Sequence, residues 1–215
     1  MSELTKRIYT SFVLLTIFTI SIFNNFILAA VLIFCFYVIF YEFINLLKKF
    51  FLNNNNIKLY FSLLIILFLN TYLIIFIWNS LNSNLLIDKI FLFLLISISI
   101  MSDIGGYIFG KIIKGKKITK ISPNKTYAGM CGAYILSLIF SIIFFNNYFL
   151  FYKLILIIII SSTISQAGDI FISYLKRKNN FKDTGKLLPG HGGLLDRFDG
   201  IFFTIIIGST LKYIL

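Results

Sequence analysis

Residues 89–111, KIFLFLLISISIMSDIGGYIFGK, make one long apolar run between two lysines, relieved only by serines until Asp103 and a group of glycines. About 20 such residues are enough for a helix to cross the hydrocarbon core of a bilayer. The run does not alternate apolar with polar, so it is not the strand of a membrane barrel. Comparable runs recur along the 215 residues, and mean hydropathy is +0.93. Charged residues are 13% of the chain, against about 25% in a soluble domain. The expected fold is an all-α integral membrane protein, with no room for a large soluble domain.

Reading outward from Lys89–Lys111 gives about seven transmembrane helices. The others are expected near Ile8–Phe23, Phe26–Leu47, Lys58–Trp78, Ala128–Phe145, Phe149–Lys178 and Asp199–Ile214. The sixth is too long for a simple span, so its last turns should project into water. Lys6 and Arg7 ahead of Phe12–Phe23 resemble the start of a signal peptide. No small-x-small cleavage site follows, so an uncleaved first span is expected. With a cytoplasmic N-terminus, every cation except Lys89, Lys153 and Lys212 falls on the inner side. That distribution obeys the positive-inside rule. Cys35 and Cys131 lie in apolar segments and read as small buried hydrophobes, not as a disulfide or metal pair.

The segment SYLKRKNNFKDTGKLLPGHGGLLDRFDG, Ser173 to Gly200, is unlike its surroundings. It holds Asp183, Asp196 and Asp199, with Asp169 just upstream, and the single histidine, His191, among glycines. Asp196 and Asp199 share a face if the segment is helical, and carboxylate oxygens suit a hard divalent cation. Lys176, Arg177, Lys182, Lys186 and Arg197 could hold phosphates. A metal site beside many cations at a membrane edge points to a phosphate-bearing substrate.

Two further aspartates stand out. Asp103 and Asp169 lie near the inner ends of apolar runs, where a carboxylate is costly enough to need a reason. Asp103, Gly106, Tyr107 and Gly110 share one helical face, where glycines allow close helix packing. Around Pro123, which stiffens the loop, Ser122, Lys125 and Thr126 put two hydroxyls and a charge just before a helix start, a favourable place for an anion. Gly105–Lys111 has the spacing of a P-loop, but Ile112 replaces the metal-binding hydroxyl and no strand precedes it. Asn124-Lys125-Thr126 is a glycosylation sequon in a loop expected to be cytoplasmic.

The run S-Y-L-K-R, then K-D-T-G, then L-P-G-H-G-G-L-L-D-R-F-D closely resembles the C-terminal signature of the phosphatidate cytidylyltransferases, with S-D-I-G-G-Y-I-F-G-K and I-S-P-N-K-T-Y-A-G similar to two further family elements in the right order. The resemblance covers about Met101 to the C-terminus. It divides the chain into N-terminal membrane helices, residues 1–100, and a catalytic membrane region, residues 101–215. Two positions depart from the pattern: Ile172 and Ala128 stand where the family usually has glutamate.

The resemblance implies transfer of a cytidylyl group from CTP to phosphatidic acid, giving CDP-diacylglycerol and pyrophosphate. It implies magnesium, with potassium as companion, held by Asp169, Asp196 and Asp199. Catalytic roles are expected for those three and for Lys176, Arg177, His191 and Arg197. Substrate contacts are expected from Asp103, Ser122, Lys125, Thr126, Ser173, Lys182 and Asp183. The expected setting is the bacterial inner membrane, with the active site facing the cytoplasm. The partners are the bilayer and a second copy of the chain, with no nucleic acid. Two alternatives stay open: a transporter or scaffold whose basic loops bind anionic lipid, and a related enzyme using another lipid acceptor. The D-G-x-x-A-R pattern of membrane nucleotide-alcohol phosphotransferases is absent.

Overall fold

The computed structural model describes residues 5, 9, 12, 13, 16, 19, 20, 24–51, 56–82, 86–119, 122, 125–181, 183–185 and 192–214. Its elements are α1 (Asn25–Phe51), α2 (Asn56–Asn82), α3 (Leu86–Ile113), α4 (Tyr127–Phe145), α5 (Phe151–Lys178) and α6 (Leu195–Ile214). Among the described residues the only β contact is an isolated bridge between Lys117 and Thr126. The protein is an all-helical membrane protein. The helices α1 to α5 are each long and apolar enough to cross a bilayer, and a helix satisfies its own backbone groups where no water can.

Helix bounds follow the expected spans closely. The first span, Ile8–Phe23, lies mostly outside the described residues. The last begins at Leu195, four residues earlier than expected, because Asp196 and Asp199 belong to the helix. Those two, with Arg197 and Lys212, make four charged residues among the 20 of α6. At 28 residues, α5 is about 42 Å long, beyond the roughly 30 Å of hydrocarbon. Just past its end at Lys178, Asn180 has a positive φ of 56°, that of a left-handed cap. There Phe181 N donates to Lys176 O and closes the last turn.

The chain forms two compact units. Residues 1–83 and 175–198 make the first. In α1, Leu28, Phe36, Ile39, Phe43 and Leu46 are buried at helical spacing, while Phe26, Phe34, Tyr37 and Tyr41 are exposed. Asn24 starts this helix by accepting from Phe26 N and Ile27 N. The two helices α1 and α2 pack together, with Phe26 edge-on to Trp78 at 5.8 Å between centroids. The end of α5 is tied to the end of α1. Asn179 donates to the Leu46 carbonyl at 2.9 Å, and the Lys49 ammonium sits 3.9 Å over the Phe181 ring.

Residues 84–174 and 199–215 make the second unit. Its closest packing joins α3 to α4 along glycines. A Cβ on Gly105 would run into the Gly132 carbonyl, and one on Gly129 into the Gly106 carbonyl. These backbones touch because no side chain separates them, the usual device where hydrophobic attraction between helices is weak. Serines continue the polar packing: Ser99 and Ser165 hydroxyls are 2.8 Å apart, and Ser102 and Ser162 are 3.2 Å apart. Cys131 is exposed, contrary to the sequence reading. It lies off the seam of Gly129, Gly132, Ala133, Ser137 and Ser141 that α4 buries.

Candidate active site

In the second unit, α3, α4, α5 and the loop before α4 enclose a cavity of about 290 Å³. Asp103, Tyr107, Ser122, Lys125, Thr126, Gln166 and Asp169 line it, with Gly106 and Gly129 at its glycine wall. Thus Asp103, Asp169, Ser122, Lys125 and Thr126, separated by up to 66 residues in sequence, share one space. Local structure explains how. The extended residue Thr126 caps α4, its hydroxyl oxygen accepting from Gly129 N at 3.1 Å. Two backbone bonds, Ile118 N to Lys125 O and Tyr127 N to Lys116 O, fold the basic loop back on itself. This hairpin delivers Lys125 to Asp169, with which it forms an ion pair. Ser173, one turn beyond Asp169, reaches its carboxylate at 3.5 Å, the long end of hydrogen-bond range.

The second carboxylate at this place is Asp199. It is 8% exposed, accepts from Gly200 N at 2.8 Å, and feels the charge of the Asp169 carboxyl. Asp103 is close enough to add to the local negative charge. Carboxylates this close favour a proton or a cation between them, and the Lys125 ammonium supplies part of that charge. The all-oxygen donor set of Asp169 and Asp199 fits a hard cation. Among the described residues no three His, Cys, Asp or Glu side chains form a ready-made metal cage. That is compatible with magnesium, which usually takes one or two carboxylates and completes its shell with water and substrate phosphates.

The signature segment in the first unit is organised differently from the sequence expectation. Asp196 has both oxygens committed to protein donors. Oδ1 pairs with Lys176 Nζ at 2.8 Å, while Oδ2 accepts from Thr184 N at 2.7 Å and Gly193 N at 3.0 Å. In this arrangement Asp196 shapes the loop, and Lys176 faces a carboxylate. Gly192, with φ of 86°, lets the chain turn beside Asp183. Arg177, Arg197 and Asp183 are exposed. Lys182 and His191, expected to contact substrate, lie outside the described residues.

The departures from the family pattern have plain packing environments. Ile172 is fully buried in α5, and Ala128 is half-buried in the first turn of α4. Two residues escaped sequence reasoning. Gln166 lines the cavity and donates to Ser162 at 3.3 Å; its position one turn before Asp169 was the available signal. Glu42 is a buried carboxylate near the end of α1. An acid within an apolar run, the argument that singled out Asp103 and Asp169, applies equally to it.

Several known proteins are similar to this chain. The phosphatidate cytidylyltransferase of Rickettsia typhi is 39% identical over 133 residues, covering 57% of each chain. That of Rickettsia felis is 45% identical over 105 residues, 44% of this chain and 46% of the relative. That of Staphylococcus haemolyticus is 44% identical over 109 residues, 49% of this chain and 42% of the relative. The chain thus spans about half the length of the curated relatives it matches. The pattern of the cytidylyltransferase family matches residues 50–215, which include every cavity residue and the whole signature segment, and the chain belongs to that family.

Proposed function

We propose that the chain transfers the cytidylyl group of CTP to phosphatidic acid, producing CDP-diacylglycerol and pyrophosphate. The observation that carries this reading is the cavity. It sets Lys125, two hydroxyls and the N-terminus of α4 against Asp103 and Asp169, with Asp199 close enough to feel the charge of Asp169. Cations and helix amides suit phosphate, and carboxylates suit a metal that phosphates also bind. The reaction needs little covalent chemistry from the protein. A phosphate oxygen of phosphatidate forms a bond to the α-phosphorus of CTP, and the bond from that phosphorus to the bridging oxygen of pyrophosphate breaks. The attacking oxygen is already anionic, so no general base is required.

Positioning and charge stabilisation therefore dominate. Lys125 neutralises phosphate charge that grows toward the leaving group. Ser122 and Thr126 hydroxyls orient phosphate oxygens. Asp169 and Asp199 hold magnesium in this reading, with potassium as companion, while Asp196, whose oxygens Lys176, Thr184 and Gly193 engage, shapes the signature loop. When bound, the metal supplies Lewis-acid stabilisation of phosphate oxygens. Lys176, Arg177, Lys182 and Arg197 neutralise the triphosphate, and His191 contacts nucleotide or phosphate. Ser173, Asp183 and Asp103 complete the substrate contacts.

A lipid acceptor requires a site at the bilayer surface. The charge distribution favours an N-terminus and active site on the cytoplasmic side of a bacterial inner membrane, and the chain acts there as a homodimer in this reading. The test is pyrophosphate release by purified protein in lipid vesicles. Release should require CTP, phosphatidic acid and magnesium together. CTP consumption that is indifferent to phosphatidic acid would overturn the acceptor assignment.

A further inference from the structure

Glu42 is the one acidic residue of α1 and is 6% exposed. Its Oε2 accepts from the Thr184 hydroxyl and from Leu195 N, both at 2.9 Å, and its Oε1 accepts from Leu194 N at 3.1 Å. All three donors are neutral groups of the signature segment, 142 to 153 residues further along the chain. Two of them are amides at the N-terminal end of α6, where the helix dipole favours negative charge. A carboxylate in so buried a place is tolerable only when its oxygens are satisfied this way. The glycines of the segment fit the same purpose. A Cβ on Gly185 or on Gly193 would collide with the Glu42 carboxylate.

Thr184 connects this anchor to Asp196. Its hydroxyl donates to Glu42 while its backbone N donates to Asp196 Oδ2, the oxygen that Gly193 N also holds. Lys176 grips the other oxygen of Asp196. Glu42, Thr184, Asp196 and Lys176 thus form one hydrogen-bonded chain. We propose that Glu42 is a positioning residue: from a helix outside the signature, its carboxylate caps α6 and holds Thr184, and so fixes the orientation of Asp196 and of the turn that leads to Asp199. The catalytic consequence rests on the transferase reading above; the anchoring does not.

Glu42→Gln keeps the volume but leaves one acceptor oxygen and turns an NH₂ group toward donors. The full-length protein in detergent is digested with trypsin, and cleavage at Lys182 and Lys186 is timed against cleavage in the basic loop at 114–120. The expected result is cleavage at Lys182 and Lys186 at least about ten-fold faster, with the basic loop cut at the parent rate. In the transfer assay kcat should fall by about 10²-fold, the scale of a small misplacement of catalytic groups, with KM for CTP nearly unchanged. If Glu42→Gln fails to fold, Thr184→Val removes a single donor of the same chain. It should speed the same two cleavages by a few-fold. Parent-like cleavage in either folded variant, or equal acceleration in both loops, would overturn the anchor. Faster signature cleavage with KM raised and kcat intact would overturn the positioning role. A parent protein without transferase activity would sink the functional reading, while the trypsin comparison still decides on Glu42.

Discussion

Replacing Lys125 by methionine tests the cavity as a phosphate site. Methionine keeps an unbranched stem and removes the charge. A cavity of 290 Å³ corresponds to a sphere of about 4 Å radius, and two unit charges at that range interact by about 4 kcal/mol at the effective dielectric near a protein surface. Only the part of that interaction that grows between bound substrate and transition state affects kcat. Taking about two-thirds of it gives about 2.7 kcal/mol, close to a 10²-fold loss. Stability should change far less. The Lys125 and Asp169 side chains are 23% and 31% exposed, and a solvent-screened pair is worth below about 1 kcal/mol. Lys125→Met should therefore keep the melting temperature within a few degrees while kcat/KM for CTP drops by about 10². Lys125→Arg should recover part of the loss, because charge returns with altered geometry. The assay is initial-rate transfer at several CTP concentrations, beside thermal unfolding of each variant. A methionine variant within three-fold of the parent would refute the placement of Lys125 against reacting phosphates.

Other expectations follow from packing around the same cavity. Gly105→Ala forces a Cβ against the Gly132 carbonyl; overpacking of this kind costs about 1–3 kcal/mol, seen as a lowered melting temperature by circular dichroism. Thr126→Val removes the cap of α4, about 1 kcal/mol, and also a cavity hydroxyl, so a small thermal shift should accompany a raised KM for substrate. Gly200→Ala places a Cβ against the Ser165 hydroxyl, beside Ser99. It should displace the adjacent Asp199, so transfer activity should fall by a larger factor than one unfolding shift of a few degrees explains.

The spans that correspond to α1 to α5 were legible because membrane helices need long apolar runs. The cavity carboxylates Asp103 and Asp169 were legible for a related reason. Each sits in an apolar run where an idle charge is costly, and the structure brings both to one cavity with Lys125. Glu42 obeyed the same rule but lay on a helix remote from the signature, and two of its three partners named above are backbone amides, which carry no residue-type signal. The double engagement of Asp196 was also hidden. It depends on how Thr184 and Gly193 fold back on α6, which spacing alone does not specify. Cys131 shows the limit of hydropathy: an apolar segment names residues that avoid water, and lipid serves as well as a protein core.

The central claim is that Asp199 and its neighbours run a CTP-dependent transfer to lipid. The direct measurement is incorporation of cytidine-labelled CTP into lipid by purified protein with phosphatidic acid and magnesium, for the parent and Asp199→Asn side by side. The expected result is labelled CDP-diacylglycerol from the parent, abolished by chelation of magnesium and reduced to background in the variant despite parent-like folding. Equal labelling by both proteins would contradict the site. No labelled lipid from a folded parent supplied with all three components would contradict the activity itself.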